Sequence, residues 1–208
     1  SCLLTVFPLL TSLKNFWVNA QFCAHDSIKA SDYLEITYAS LTPSQSLSLD
    51  LRFEKQITDL HFYILKRTFS LLPFLGGLSL NFRECNKISN AGFDDLMSVL
   101  MPLKSLQYLS LNFNLYFGIS DKGLETLKSG LTSLKSLQYL SFSLGSFTRI
   151  SDEGLNHLKN ALMSFTSLKN LTMKLGHCQH ISDEALNYFE NALTSLNSLR
   201  HLSLNFGA

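Results

Sequence analysis

The chain is poor in charge, in tryptophan, and in apolar runs long enough to cross a bilayer. Asp, Glu, Lys and Arg make up only 16% of its 208 residues, and the formal net charge is +1. Both signs are scattered along the sequence, so no electrostatic footprint for nucleic acid or a membrane surface stands out. The longest apolar stretch, CLLTVFPLL near the start, is too short to span a membrane. It has no basic region before it of the kind a signal peptide carries. Gly-rich phosphate loops, G-x-S-x-G and H-E-x-x-H are all missing, which leaves the familiar catalytic chemistries without their residues. The only local cluster with metal-ligand residue types is HCQH, His177 to His180. No second ligand pair stands at a suitable spacing, so these histidines read as solvated loop residues. The expectation is a protein that is not an enzyme and uses no cofactor or metal.

What the chain has in abundance is repetition. Apolar residues make up 46%, enough for an ordered core, and they recur with a period of 31 residues. Leu75, Leu106, Leu137, Leu168 and Leu199 share one column, and Leu78, Leu109, Leu140, Leu171 and Leu202 another. Leu80, Leu111, Phe142, Met173 and Leu204 follow two residues later, then Phe82, Phe113, Leu144, Leu175 and Phe206. Alternation of period two predicts a strand with one face buried. A second set begins at Ile88, Ile119, Ile150 and Ile181. It continues through columns headed by Phe93, Leu96, Leu100 and Leu103, whose spacings of three and four describe the stripe of a helix.

Helix starts are marked by Ser27, Thr58, Ser89, Ser120, Ser151 and Ser182, where a side-chain oxygen can accept from an orphan helical N–H. Asp121, Asp152 and Asp183 follow directly, with negative charge at the positive end of the helix dipole. Gly92, Gly123 and Gly154, with Ala30 and Ala185, keep an early helical position small, as close packing on a neighbouring unit requires. All four prolines, Pro8, Pro43, Pro73 and Pro102, fall where helix gives way to strand, where no ladder N–H is needed.

Each unit therefore reads as strand, loop, helix, turn, and only stacking can bury its apolar faces. The pattern LQYLSLNF…ISDKGLETL resembles the leucine-rich repeat, L-x-x-L-x-L followed by an I-[ST]-D-x-G-L helix start. It is similar to the ribonuclease-inhibitor-like and cysteine-containing subclasses. The implied fold is α/β, a right-handed solenoid or horseshoe with parallel strands on the concave face and helices on the convex face. Strands are expected near Val18, Leu49, Leu80, Leu111, Phe142, Met173 and Leu204. One domain spans 1–208, with clear copies at 75–105, 106–136, 137–167 and 168–198 and looser ones at 13–43 and 44–74. Partial units occupy 1–12 and 199–208. Copy 13–43 should be the most irregular, because Asp26 and Ser31 replace apolar residues in their columns. No polar capping unit is legible at either end, which suggests a piece of a longer protein.

Cys23, Cys85 and Cys178 share a column three residues before the isoleucines. Strand spacing puts cysteines two units apart at roughly 10 Å, beyond the reach of about 7 Å that a disulfide needs. Buried thiols fit an intracellular, cytoplasmic location. The sequon Asn170-Leu171-Thr172 falls in an expected strand and reads as chance.

Residues between the buried strand positions should form the concave face. The first such column is Asn15, Ser46, Gly77, Tyr108, Tyr139, Asn170 and His201, the second is mostly serine, and the third includes Asp50, Asn112 and Lys174. Tyrosine is enriched at binding hot spots. In the strand-to-helix loop, Leu115 and Phe117 take positions held by Glu84, His177, Asn86 and Gln179 in other units and are expected to form an exposed apolar cluster. The expected function is a protein–protein interaction module. Its partner-binding residues are Tyr108, Tyr139, Asn112, Leu115, Phe117 and His201, with neither nucleic acid nor membrane as partner. The resemblance implies two other roles: a scaffold subunit of a large ciliary or organellar assembly, and the substrate receptor of a ubiquitin ligase.

Overall fold

In the computed structural model, residues 15–19, 46–53, 57–70, 72–113, 119–144, 150–176 and 180–205 are described. The expectations for Cys23, Cys178, His177, Leu115, Phe117 and most of copy 13–43 fall outside these residues. Seven strands are present among them: β1 (Asn15–Asn19), β2 (Ser46–Asp50), β3 (Gly77–Asn81), β4 (Tyr108–Asn112), β5 (Tyr139–Ser143), β6 (Asn170–Lys174) and β7 (His201–Asn205). Five helices follow β2 to β6 in turn: α1 (Asp59–Phe69), α2 (Asn90–Leu100), α3 (Asp121–Thr132), α4 (Asp152–Leu162) and α5 (Asp183–Thr194).

The strands pair in chain order as one parallel sheet. Partners are separated by the repeat length throughout, so Tyr108 pairs with Tyr139 and Leu109 with Leu140. The strands are centred one residue before the expected positions, on the serine column, but the register is unchanged. Parallel strands stack at about 4.8 Å and packed helices at about 8–10 Å. That mismatch curves the α/β solenoid and puts the sheet on the inside.

The apolar columns meet between sheet and helices in one continuous core. Fully burying each Leu or Ile contributes roughly 1.5–3 kcal/mol. A row of phenylalanines lies in it: Phe62 on Phe82 with centroids 4.9 Å apart, Phe82 on Phe113 at 5.6 Å, and Phe93 against Phe113 at 5.2 Å. Cys85 is buried, and its thiol donates to the Leu51 carbonyl at 3.1 Å. The columns lose their cover in the last unit. Leu202 is 48% exposed, Leu186 is also exposed, and Leu193, Leu199 and Leu204 are only partly buried. Among the described residues nothing packs on the outer side of α5 and β7, so sequence position alone misplaces these leucines in the core.

Helix starts are wired to one another. Ser89, Ser151 and Ser182 are N-caps that accept from an N–H of their own helix. Each also donates its hydroxyl, at 2.6 Å, to the aspartate that opens the preceding helix: Asp59, Asp121 and Asp152 respectively. The same carboxylates accept the serine backbone N–H at 2.8–2.9 Å. The Ser182 hydroxyl, followed by its backbone N–H, holds the Asp152 carboxyl below the usual aspartate range. Sequence reading assigned these aspartates to the helix dipole alone; the structure adds a bond between units. Asn90 breaks the row. Its amide only approaches the Ser120 hydroxyl at 3.4 Å, its buried oxygen has no partner, and Ser120 caps nothing with its side chain.

The small helical position is explained by the same wiring. A Cβ on Gly92 or Gly154 would run into the Oδ1 of Asp59 or Asp121, the carboxylate that ties the two units together.

Candidate functional site: the inner face of the sheet

With Leu109 and Leu111 turned into the core, Tyr108, Ser110 and Asn112 of β4 lie on the opposite, inner face. Parallel pairing in register then places Tyr139 directly beside Tyr108. The two rings stack with centroids 4.4 Å apart and planes 14° from parallel. This is close to the strand spacing, so the rings stand side by side along the ladder. One face of Tyr108 is covered by Tyr139, and the other turns toward β3, where the paired residue is Gly77.

Gly77 offers no side chain, and a Cβ there would collide with the Ser46 side chain of β2. The Ser46 side chain therefore occupies the space above Gly77, which is itself buried. Tyr108 is 39% exposed, whereas Tyr139, flanked by Tyr108 and Asn170, is less so. Partial burial pushes the Tyr108 hydroxyl above its ordinary value, and the neighbouring Tyr139 adds to the shift. The hydroxyl thus stays protonated at neutral pH and can donate.

Of the other expected residues, Asn112 sits four residues after Tyr108, at the far end of β4, and is half-buried on the same face as the tyrosines. His201 is exposed in the same row but lies two strands beyond Tyr139, about 10 Å by strand spacing. The structure joins Tyr108 and Tyr139, and places Asn112 at the far end of β4 and His201 at the sheet edge. Leu115 lies outside the described residues, but Phe53 and Glu84 share its column. Both have positive φ, 65° and 64°, and Phe53 is 42% exposed with the Arg83 guanidinium 5.6 Å above its ring. A bulky residue at positive φ is uncommon, and at this column it turns the side chain out at the end of the strand. Nearby, Asp50 is nearly buried and held by Arg52 through bonds of 2.6–3.1 Å.

A second feature lies on the helical side. Between α4 and α5 a groove of about 460 Å³ is lined by Asp152, Asn156, Lys159, Ala185 and Tyr188, among others. The Lys159 ammonium sits 5.4 Å from the Tyr188 ring centroid, and the Tyr188 hydroxyl donates to Glu184 at 2.8 Å. The groove opens at the described helix pair whose small position is Ala185 rather than glycine. Sequence reading missed this feature, although Ala185 stands in the glycine column.

Among the described residues no group of three His, Cys, Asp or Glu side chains could hold a metal ion. No helix among them is long and apolar enough to cross a membrane.

No family model matches the chain, and no curated protein sequence does. Solved structures do. A structure titled "Leiomodin-1 Actin-Binding Site 2 (ABS2)" is similar over 79% of this chain and 86% of that one, with a TM-score of 0.55 and 12% identity. A second, "Crystal structure of TLR13-ssRNA13 complex", aligns with 83% of this chain and 30% of that one, at a TM-score of 0.33 and 17% identity. At such low identity the likeness to the leiomodin-1 segment is one of fold. The chain is an α/β solenoid of stacked strand–helix units, consistent with the leucine-rich-repeat pattern in its sequence.

Proposed function

We propose that the chain is a protein-binding module that holds its partner on the inner face of the sheet, around Tyr108 and Tyr139. The observation that carries this reading is the stacked tyrosine pair. Two aromatic rings stand outside the core on the concave side, and one of them is 39% exposed. Tyrosines in such positions are typical anchors, because they add contact area at low cost in side-chain entropy. Asn112 adds a polar group on the same face at the far end of β4, and Leu115 and Phe117, which the sequence assigns to this surface, lie outside the described residues. A related fold occurs in a segment described as an actin-binding site of leiomodin-1, so the architecture suits a binding role rather than an enzymatic one. A single domain over 1–208 belongs to the same reading.

A peptide-display selection on the 208-residue chain tests it. Selected binders should lose more than about 2 kcal/mol, roughly 30-fold in affinity, when Tyr108 and Tyr139 are both replaced by alanine. Replacing Lys128 and Lys159 on the helical side should change affinity by less than about threefold. The groove between α4 and α5 and the exposed Tyr188 favour a second reading, a scaffold subunit contacted through its convex side. Binders that need the helical pair and ignore the tyrosines would establish that reading instead.

A further inference from the structure

We infer that the partner segment is acidic and carries an aromatic residue, and that it lies along the edge of the sheet where the strands begin. This inference rests on the protein-binding reading and deepens it. The near-neutral formal charge of the chain conceals a separation that only the fold creates. Strands begin and helices end at one edge of the solenoid; strands end and helices begin at the other. The acidic side chains of α2 to α5 stand in the first half of each helix, among them Asp94, Asp121, Glu153 and Glu184, except for Glu190 of α5. The segments 96–107, 127–138 and 158–169, which lead into β4 to β6, contain no aspartate or glutamate, and the matching segment 189–200 before β7 contains one, Glu190.

Cations take the place of acids along that edge. Lys104, Lys135, Lys169 and Arg200 are all exposed there, one in each of four consecutive units. Their recorded bonds go to neutral oxygens, Lys104 to the Ser133 carbonyl at 3.5 Å and Lys169 to the Gln138 amide at 2.8 Å. No carboxylate among the described residues pairs with any of the four. All four lie beyond the helix ends, in turns or just before strands, so compensation of helix dipoles does not account for them.

The tyrosines adjoin this edge. Tyr108 and Tyr139 are the first residues of β4 and β5, four positions after Lys104 and Lys135. A chain lying across the four strand starts would cover about 14 Å, the reach of four or five extended residues. Its carboxylates would meet the row of cations, and one aromatic side chain would seat against the exposed part of Tyr108. A short acidic segment is favoured over nucleic acid, because the acidic opposite edge repels a polyanion long enough to wrap the solenoid.

The test uses fluorescence anisotropy with the 208-residue chain and a labelled peptide of about twelve glutamates and serines around one central phenylalanine. The peptide should bind, and raising salt should weaken it. Reversing Lys104, Lys135, Lys169 and Arg200 to glutamate should weaken it at least about tenfold. Replacing the peptide's phenylalanine by serine, or Tyr108 by alanine, should each cost about fivefold or more. The inference is overturned if the peptide does not bind, or if charge reversal leaves its affinity unchanged. Tighter binding of a labelled oligothymidylate or of phosphatidylserine vesicles through the same cations would also overturn it, in favour of a nucleic acid or a membrane. Displayed binders that require both tyrosines but carry no net negative charge would remove the acidic partner while leaving the protein-binding reading intact.

Discussion

A single amide marks the one joint between described helices where the serine–carboxylate bond is missing. Where aspartate opens a helix, its carboxylate takes both the N–H and the hydroxyl of the next serine, and that serine turns its oxygen to its own helix. Asn90 has one acceptor oxygen where aspartate has two, and that oxygen is buried without a partner. Asn90→Asp should therefore restore the row and free Ser120 to cap α3. A buried polar atom gaining a partner, together with a regained cap, is worth about 1 kcal/mol. Urea unfolding at neutral pH should show that gain. An unchanged or lower midpoint would mean that the carboxylate wiring contributes nothing between these units.

At the scale of an element, the glycine column opposes helix propensity to packing between units. Gly154 lies in α4, where alanine would favour the helix by about 1 kcal/mol. Its Cβ, however, would collide with the Asp121 carboxylate and come within 3.0 Å of Ile150 and Leu124. Overpacking of this kind costs about 1–3 kcal/mol, and the displaced carboxylate would also loosen its bonds to Ser151. We expect Gly154→Ala to destabilise the protein by about 1 kcal/mol or more despite the better helix former, as thermal or urea unfolding would show. A stabilised variant would mean that α3 and α4 can accept a methyl group at this column, as α4 and α5 do at Ala185. The tyrosine stack belongs to this scale as well, since it forms only because two strands pair without slipping.

Across the whole molecule, equal columns are not equal in energy. Leu140 and Leu202 occupy the same place in their repeats, but Leu140 is fully buried and Leu202 is 48% exposed. In a stack, a residue's burial depends on having a neighbour on both sides. Leu140→Ala should cost about 3 kcal/mol, whereas Leu202→Ala should cost less than about 1 kcal/mol. Parallel urea unfolding of the two variants checks the ratio. Equal losses would mean that the outer side of β7 is covered in solution. Charge behaves in the same way: four cations scattered along the sequence, Lys104, Lys135, Lys169 and Arg200, are brought by the fold to one edge of a module that is nearly neutral overall.

The 31-residue period by itself determined the strand–helix unit, the parallel register and the identity of the inner-face columns. Stacking identical units lets each residue meet its own counterpart in the next, so Tyr108 beside Tyr139 was legible before any coordinates. Strand centres were off by one residue, because alternation gives the face of a strand but not where its hydrogen bonding stops. Tertiary structure alone decided what depends on neighbours rather than on columns. It turned Asp59, Asp121 and Asp152 into acceptors for the next unit, left Asn90 without its bond, opened the groove at Ala185 and exposed Leu186 and Leu202. It also gathered Lys104, Lys135, Lys169 and Arg200 along one edge. The physical reason is that hydrogen bonds, burial and electrostatic fields act over a few ångströms of space, and a repeat folds residues 31 apart in sequence into that range.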